Sequence, residues 1–477
     1  MSQSHKLSGR QFGRNIMLSV MVQMISMCVS FVLTLIVPKF IDEYQYAYWQ
    51  TFVLYFGYVG VLHFGLLDGI VLRYSQYDEH QLDKARLRSQ FQILLVSTGA
   101  FALLGCLFAL FFCHGIARST IIFVSVGIIL RNVFTYNSYA FQITNRIGKY
   151  ATLVIVQRLG YGFMTVALLL LGVNRFEWYC IAELFGDVLA VAVAIFLNKG
   201  FHFGKTLPWK EALAEWKMNT SAGVILLLAN WSSLLLLGSA KTIIQWRWDD
   251  LVFGKISFAV RLAGLFLAFI SAVSVVLFPS LKRMEQDKLP GLYRKIRGGL
   301  SPLLFVIMLC YFPGCWILEI YLPDYADSLA YLGTLLPLVV FSSIVSLLTN
   351  NYLKAYRKEG AMLAANLISI AISIALFAVG AYVLNSLMFV LVAIVAATML
   401  NAILLELVVM KTIRIRFVKA FVLEAILTVT FILFTNLFDR WIGFGLYLAA
   451  VLIYLTYQFR IPTVLFHSRR KNRGTQE

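Results

Sequence analysis

The chain has 477 residues, of which 60% are hydrophobic and only 13% are charged. Because about a quarter of the residues in a soluble domain are charged, this composition excludes a soluble protein and indicates an integral membrane protein. The formal net charge of +18 would suit either nucleic acid or anionic lipid, and the positions of the basic residues distinguish the two.

Apolar runs long enough to cross a bilayer recur along nearly the whole chain. A span needs about 20 predominantly apolar residues, and hydropathy predicts about fourteen spans. They lie near residues 15–37, 46–70, 91–113, 119–141, 152–172, 178–197, 220–240, 251–280, 300–320, 329–349, 361–384, 386–410, 418–437 and 441–459. The first run is too long for a signal peptide and has no small-residue cleavage site before Pro38, so we interpret it as a retained span.

The basic residues alternate between the two sides of the predicted membrane. With the N-terminus inside, 31 of the 41 Lys and Arg residues fall in cytoplasmic segments, 6 in outer loops and 4 within spans. Cytoplasmic loops of membrane proteins carry this excess of basic residues. The pattern predicts that both termini are cytoplasmic, and it makes most of the net charge a topology signal rather than a nucleic-acid surface.

The order of spans predicts two lobes followed by a hairpin. We expect an N-lobe at 1–197 with six spans, a cytoplasmic amphipathic connector at 198–219, a C-lobe at 220–410 with six spans, a hairpin at 411–459 and a basic cytoplasmic tail at 460–477. Each lobe begins with a basic residue close to an Asn. A span, an outer loop and a second span follow it. Such repeats are typical of transporters.

The connector has the composition of a helix that lies on a membrane surface. Apolar and basic residues alternate along it, so that one side can enter the interface and the other can meet anionic lipid head groups. The residues concerned are Trp209, Leu213 and Trp216 on the apolar side, and Lys205, Lys210 and Lys217 on the basic side.

Several functional classes lack their sequence signals. The six cysteines lie in or at the ends of apolar runs and have no metal-ligand spacing, so we interpret them as small buried residues. We find no nucleotide-binding loop and no nucleophile paired with a base. The sequence predicts no cofactor and no metal site, and it predicts transport that is not driven by ATP hydrolysis on this chain.

Polar side chains recur at helical spacing in the first predicted span. Ser19, Gln23, Ser26 and Ser30 are separated by 4, 3 and 4 residues, which places them on one face of a helix. Such a stripe lets helices pack closely and hydrogen-bond to one another, or it lines a wet cavity. Both interpretations stay open for this stripe.

Basic residues inside the spans give the clearest functional signal. A charge near the middle of a bilayer costs about 2.5–3.5 kcal/mol on insertion scales, so it faces protein or water. Arg261 in the eighth span and Arg131 in the fourth lie at similar depths. We expect them to line one aqueous cationic cavity, with Lys255 also inside the apolar run of the eighth span.

The alternative is that each arginine belongs to a buried ion pair, and acidic residues within the spans supply candidate partners. Glu183 and Asp187 are four residues apart on the sixth span, and we expect Arg158 of the fifth span to pair with them as a structural ion pair. Asp68 lies near the inner end of the second span. It is a candidate for ion coupling, although capping or a salt bridge with Arg73 is favoured.

The polar groups within the spans indicate the chemistry of a cargo. An excess of arginine favours an anionic head group, and arginine binds phosphate through forked hydrogen bonds. The hydroxyl and amide stripes suit a ligand rich in hydroxyl groups. Phosphate together with sugar, moved by a chain without an ATPase motif, indicates a glycolipid diphosphate that crosses from the inner to the outer leaflet.

Several local sequences resemble a known family. They are Phe12-Gly13-Arg14-Asn15-Ile16, the outer aromatic residues Tyr44, Tyr46, Tyr48 and Trp49, Phe64-Gly65-Leu66 followed by Gly69 and Arg73, Lys255-Ile256-Ser257-Phe258, and Leu277-Phe278-Pro279-Ser280-Leu281. In these and in layout the chain resembles the Wzx-type polysaccharide flippases of the multidrug/oligosaccharidyl-lipid/polysaccharide (MOP) exporter superfamily.

The resemblance implies an architecture and a cargo. Two six-helix bundles would form a V-shaped cavity lined mainly by the first, second, seventh and eighth spans, with a hairpin added at the C-terminus. The cargo would be an undecaprenyl-diphosphate-linked glycan, such as an O-antigen repeat, moved across a bacterial inner membrane. The first-span stripe and Arg261 would line the cavity, Lys255 would lie near its outer mouth, and Arg131 would belong to a less central helix.

The resemblance also implies partners. They are anionic membrane lipids and, beside the flippase, polysaccharide polymerase and chain-length proteins; nucleic acid is not among them.

Three alternatives stay open at this point. A lipid II flippase of the same superfamily also uses a cationic cavity. A cation-coupled multidrug exporter would favour a carboxylate well inside an early span, and the first span has none. A membrane polysaccharide polymerase or glycosyltransferase would need a substantial outer loop, and the predicted outer loops run to only about ten residues.

Overall fold

The computed structural model describes residues 9–75, 77, 81–415 and 418–471. Every regular element among them is a helix, which confirms the predicted all-α membrane fold. Twelve helices are long and apolar enough to cross a bilayer, and the number rises to 14 when two bent helix pairs each count as one span. This range agrees with the fourteen spans expected from hydropathy.

The first lobe consists of the helices before residue 203. They are α1 (Gly9–Phe31), α2 (Val37–Phe40), α3 (Glu43–Phe56), α4 (Leu66–Tyr74), α5 (Lys84–Phe112), α6 (Gly115–Ile143), α7 (Ile147–Leu170), α8 (Phe176–Leu197) and α9 (Lys199–His202). A π-helical turn joins α1 to α2, and Asp42 begins α3 by accepting hydrogen bonds from the backbone N–H groups of Tyr44 (2.9 Å) and Gln45 (3.3 Å).

The second lobe and the hairpin follow. Their helices are α10 (Trp209–Arg247), α11 (Asp250–Arg283), α12 (Leu289–Ile307), α13 (Tyr311–Tyr321), α14 (Ala326–Leu335), α15 (Leu338–Ser343), α16 (Asn350–Ala355), α17 (Glu359–Ala378), α18 (Leu387–Ile413), α19 (Val418–Leu437) and α20 (Arg440–Lys471). We call the membrane face that carries the turn between α2 and α3 the outer face, following the positive-inside prediction.

Two predicted boundaries differ from the observed ones. The connector expected at 198–219 is helical from Trp209 and continues into the seventh span as one helix, α10, which ends at Arg247 rather than near residue 240. Helix α20 likewise extends to Lys471, inside the predicted tail, while residues 472–477 lie outside the described part. Hydropathy locates the apolar part of a helix, whereas a helix continues into polar sequence until a breaker ends it.

The second predicted span is broken rather than straight. Its two parts, Glu43–His63 and Leu66–Tyr74, meet at an angle of 53°. The backbone passes through left-handed conformations at Phe64 (φ 50°) and Gly65 (φ 85°), which end one helical segment and start α4. Helix α10 is also bent, by 59°, between Ser232 and Leu234. The two bent helices lie side by side.

The lobes touch closely where α4 packs against α10. A Cβ atom added to Gly69 would lie 1.8 Å from the backbone oxygen of Asn219, and one added to Gly223 would lie 2.0 Å from that of Gly65. Small residues allow such backbone contact between membrane helices, where dispersion and hydrogen bonds replace the hydrophobic effect. Glycine is therefore required on both sides of this contact.

A buried ion cluster attaches the hairpin to the second lobe. Arg297 of α12 lies 2.7 Å from Glu406 of α18 and 2.6 Å from Glu424 of α19, and each side chain is no more than 2% exposed. Tyr293 also donates a hydrogen bond to Glu406 (2.8 Å). The cluster ties α12, α18 and α19 together by charge-assisted bonds.

Candidate functional site

The outer end of the interface between the lobes is held by ion pairs. Helix α11 packs against α3 here, and Lys255 Nζ lies 2.6 Å from Asp327 Oδ2 and 3.8 Å from Glu43 Oε2. Lys255 therefore bridges an acid of its own lobe and an acid of the other lobe. In this structure protein carboxylates balance the charge of Lys255, and its role in binding the cargo stays a prediction.

Aromatic rings lie next to these ion pairs at the interface. The ring centroids of Tyr46 and Tyr325 are 5.6 Å apart, those of Tyr46 and Phe258 are 6.2 Å apart, and those of Phe258 and Tyr325 are 4.8 Å apart. The first ring comes from α3 and the others from the second lobe. Rings at such separations pack favourably, so this layer closes the interface towards the outer face.

Arg261 lies deeper on α11, about 16 Å along the helix from its start at 1.5 Å per residue. Its guanidinium stacks 4.7 Å over the ring of Trp49, which belongs to the other lobe. The Nη1 atom is buried and has no hydrogen-bond partner among the described residues. The tyrosines Tyr46 and Tyr161 lie nearby, whereas no carboxylate of the described chain lies within ion-pair distance.

Other buried polar atoms around Arg261 also lack partners. They are the hydroxyls of Tyr46, Tyr161 and Ser257 and the indole Nε1 of Trp49, each without a hydrogen bond to a described residue. Buried polar groups are nearly always hydrogen-bonded to protein, water or ligand. The cluster can therefore hold water or the polar part of a ligand, and most of its members are donors that suit an anion.

A second cation, Lys241, lies near Arg261. It is on α10, with its ammonium 5.5 Å from the ring of Phe253, and among the described residues it forms no ion pair. The predicted seventh span ends near residue 240, which would leave Lys241 in an outer loop. The longer α10 instead carries it into the protein, so hydropathy missed this residue.

Arg131 belongs to a separate ion cluster in the first lobe. Its guanidinium lies 3.2 Å from Glu183 and 3.1 Å from Asp187, and it stacks 4.5 Å over the ring of Phe56. Arg131 is thus paired with protein acids in this structure, and its role in binding the cargo stays a prediction. It occupies the position at Glu183 and Asp187 that we expected Arg158 to fill.

Arg158 lies close to this cluster without joining it. It lies near Asp187 and Tyr161, but its Nε atom has no hydrogen-bond partner in the described chain. Helical spacing identified the acidic face correctly. It could not distinguish which of two neighbouring helices, α6 or α7, would present its arginine to that face.

The first-span stripe lies partly at the interface between the lobes. Gln23 Nε2 donates to the backbone oxygen of Ala268 on α11 across 3.4 Å, while Ser19, Ser26 and Ser30 are half-buried. Through Gln23 the stripe therefore contacts α11, which is also the helix that carries Arg261. This contact is inward of Arg261 on α11.

An apolar cavity of about 750 Å³ opens beside this region. It lies between α1, α11 and the helices α12 to α15. Leu262 and Leu265 of α11 contribute to its wall, opposite Phe31 and Leu35 of the first lobe. Since Leu265 follows Arg261 by one helical turn, an apolar groove lies next to the unpaired guanidinium.

Asp68 has different neighbours from those expected. Its Oδ2 lies 3.8 Å from His63 Nε2, and its Oδ1 accepts a hydrogen bond from Asn230 across 3.5 Å. The favoured salt bridge with Arg73 is not formed, because Arg73 lies 2.6 Å from Glu215 of α10 instead. Within the described residues, no group of three or more His, Cys, Asp or Glu side chains could hold a metal ion.

The chain has the fold of the MOP superfamily of transporters. It is similar to the lipid II flippase MurJ in an inward closed conformation, with a TM-score of 0.68 and 14% identity over 94% of this chain and 100% of that one. An inward-facing MATE multidrug resistance transporter gives a TM-score of 0.59 and 14% identity over 83% and 94% of the two chains.

A third similar structure is a MOP superfamily transporter from Pyrococcus furiosus. It gives a TM-score of 0.50 and 13% identity over 84% of this chain and 95% of that chain. No protein-family model and no curated protein matches the sequence. The likeness therefore concerns the fold, and the function has to be argued from the site.

Proposed function

We propose that the protein is a flippase that moves an undecaprenyl-diphosphate-linked oligosaccharide from the inner to the outer leaflet. The observation that carries this proposal is Arg261, which lies at the interface between the lobes with its Nη1 atom buried and, among the described residues, has no carboxylate partner. A buried cation without a counter-charge is costly. A phosphate oxygen would supply that charge and accept the unused N–H group.

The surroundings of Arg261 support an amphiphilic cargo. Lys241 adds a second basic side chain that forms no ion pair with a described residue, and two basic groups suit a diphosphate better than a single anionic group. The hydroxyls of Tyr46 and Tyr161 offer hydrogen bonds to polar groups. The cavity of about 750 Å³ beside Leu265 offers an apolar surface for the first part of a lipid chain. The polar residues around Arg261 would thus hold the head group, and the apolar cavity would hold the lipid chain.

A cationic drug fits this site poorly. The acids Glu183 and Asp187 are both engaged in ion pairs with Arg131, and Glu43 and Asp327 are engaged with Lys255. The remaining cations would repel a positively charged ligand. The site therefore favours an anion over the cargo of a cation-coupled multidrug exporter.

Transport in proteoliposomes tests the proposal. The full chain is reconstituted with undecaprenyl-diphosphate-linked oligosaccharide, and the fraction of sugar open to an added glycosidase is followed over time. We expect wild type to transfer the lipid, and Arg261→Ala to do so about 10- to 100-fold more slowly, as lost charged hydrogen bonds imply. Arg261→Lys keeps the charge, and we expect its transfer rate to lie between those of wild type and Arg261→Ala.

The matched control is Arg175→Ala, which removes an exposed arginine that pairs with Glu177 in the same lobe. This variant should transfer the lipid at the wild-type rate. A wild-type rate for Arg261→Ala, with normal protein levels, would show that the arginine only packs. No transfer by the wild-type protein would reject the proposed cargo.

Lipid II is the second candidate cargo, since the solved flippase with a TM-score of 0.68 is named for it. Both lipids present a diphosphate and a polyprenyl chain, so Arg261 would serve either. The two are separated by running the same assay with each lipid and comparing initial rates. Faster transfer of lipid II would replace the oligosaccharide in our proposal and leave the role of Arg261 intact.

The proposal includes a location and an orientation. We place the protein in a bacterial inner membrane with both termini in the cytoplasm, where the basic loops would meet anionic lipids. Alkaline phosphatase fused after Asp249 should be active, and the same enzyme fused after Lys205 should be inactive. The opposite pattern would show that the membrane topology is inverted, and the proposed direction of transport would then be reversed.

A further inference from the structure

A buried carboxylate lies where the two bent helices meet. Asp68 is in the first turn of α4, three residues after the break at Gly65, and is 3% exposed. Its Oδ1 accepts a hydrogen bond from Asn230 of α10, in the other lobe. Its Oδ2 is buried and has no hydrogen-bond partner among the described residues. A buried acid that is half-satisfied needs a further ligand.

The neighbouring histidine restricts what that ligand can be. The backbone N–H of Gly65 donates to His63 Nδ1 across 3.2 Å. Because Nδ1 is an acceptor, the neutral ring carries its hydrogen on Nε2, and Nε2 lies 3.8 Å from Asp68 Oδ2. A metal ion bound to Oδ2 would face an N–H group rather than a lone pair. A proton on the carboxyl group has no such conflict.

Among the residues that the structure describes, no other charge near Asp68 takes the place of the proton. Helix α6 contributes Tyr139 near the carboxyl group, and α10 contributes the neutral side chain of Asn230. The next cation along α4 is Arg73, whose Nη1 lies 2.6 Å from Glu215 and 2.5 Å from Asn219. Within the described chain, His63 is therefore the one basic side chain at ion-pair distance from Asp68.

We propose that Asp68 is a proton-binding site that controls whether α4 and α10 are in contact. With the helices together, the carboxyl group is enclosed by both lobes and is held as the neutral acid. When the helices separate, Asn230 leaves, water reaches the carboxyl group and the proton is released to the solvent on that side. One proton binds to the carboxylate for each closure of this contact, and no other covalent bond is made or broken.

The glycine contact makes this linkage tight. Gly69 follows Asp68 directly and touches the backbone of Asn219 so closely that no side chain fits between them. Closure therefore removes water from the neighbourhood of Asp68, and an ionised carboxylate resists that loss. Proton binding and helix contact are thermodynamically linked: because separation of the helices favours release of the proton, a higher pH favours separation of the helices. The proposal does not depend on the identity of the cargo.

Distance measurements on the full chain in lipid nanodiscs, without cargo, test the proposal. Spin labels are attached through non-natural amino acids at positions 75 and 217, which are exposed on α4's inner end and on α10. We expect the short-distance population of wild type to fall as the pH rises from about 5 to 9. Asp68→Asn cannot ionise and should keep the short distance at every pH.

Two further variants make the outcome decisive. Glu215→Gln removes the other buried acid of this contact. Because Glu215 is paired with Arg73 and is not the proposed proton-binding group, this variant should keep the pH response. Asn230→Leu removes the hydrogen bond to Asp68 and should move the midpoint of the response, even where Asp68→Asn fails to fold. A pH response retained by Asp68→Asn, abolished by Glu215→Gln, or unmoved by Asn230→Leu would overturn the proposal.

Discussion

At the scale of single residues, the arginines inside the membrane differ by what faces them. Arg131 lies against Glu183 and Asp187, whereas Arg261 lies over Trp49 with a buried N–H group unused. In the first arrangement protein carboxylates balance the charge without a ligand. In the second no described carboxylate does so, and this difference is the reason for proposing that Arg261, rather than Arg131, meets the cargo.

Replacing Arg131 should therefore destabilise the protein. Arg131→Met leaves two acids unpaired, and breaking a buried ion pair costs about 3–5 kcal/mol. Arg261→Met removes an unpaired cation and should leave the free energy of unfolding unchanged or raise it. Chemical unfolding of both variants in detergent micelles checks this contrast, and an equal loss in both would contradict it.

A rescue variant controls for lost packing. Neutralising the acids as well, with Glu183→Gln and Asp187→Asn, should recover most of the stability that Arg131→Met loses. If stability stays low in the triple variant, the arginine contributes through its contact with the Phe56 ring rather than through charge.

The sequence predicted these residues better than it predicted their partners. Charged residues inside apolar runs are visible without a structure, and Arg261, Arg131 and Lys255 were identified in this way. Spacing along one helix says nothing about which helix lies opposite. For that reason Arg131, not Arg158, meets the acids, and Lys255 meets acids far along the chain.

At the scale of helices, the contact between α4 and α10 depends on residues without side chains. Gly69 and Gly223 let the two backbones touch, and the bend at Gly65 aims α4 at α10. Hydropathy predicted both spans but neither bend. The apolar content of a broken helix equals that of a straight one. Phe64 has a left-handed backbone conformation, but phenylalanine is not among the residue types that signal a turn in a sequence.

A methyl group at Gly69 should force these helices apart. In Gly69→Ala the new Cβ would lie 1.8 Å from the oxygen of Asn219, so α4 must move away from α10. We expect a larger distance between labels at positions 75 and 217, together with a loss of stability of about 1–3 kcal/mol.

Gly99→Ala is the matched control for this change. Gly99 lies within helix α5, and a Cβ added there has no atom within 4 Å. It should leave the distance unchanged and stabilise slightly, since alanine favours helix over glycine by about 1 kcal/mol. An unchanged distance in Gly69→Ala would mean that α4 and α10 have room for a methyl group between them and that their backbones are not in close contact.

At the scale of the whole molecule, the lobes are joined at two ends of their interface. The outer end is held by Lys255 with Glu43 and by the aromatic layer, and the inner end by α4 on α10 with Arg73 and Glu215. If the proposed flippase works by alternating access, in which the site opens to one side of the membrane at a time, these contacts break at different times. In that cycle the two ends act as opposing latches, and weakening one should favour opening there.

Glu43→Gln tests the outer latch. Partly exposed ion pairs are worth about 0–1 kcal/mol, so this change should raise the outward-open population by up to about fivefold. The measurement is the distance between labels at the exposed positions 40 and 324. Glu177→Gln, an acid of the outer surface that pairs within one lobe, should have no effect, and a similar shift in both would argue against a latch.

The ion cluster of Arg297, Glu406 and Glu424 has a consequence for biosynthesis. Arg297 and Glu424 are 127 residues apart, and ribosomes add about 5–20 residues per second. For roughly 6–25 s after Arg297 is synthesised, its second partner does not yet exist. The growing chain must keep this arginine in contact with water or the insertion machinery during that time, so completion of the last hairpin is also the step that commits the second lobe to the lipid.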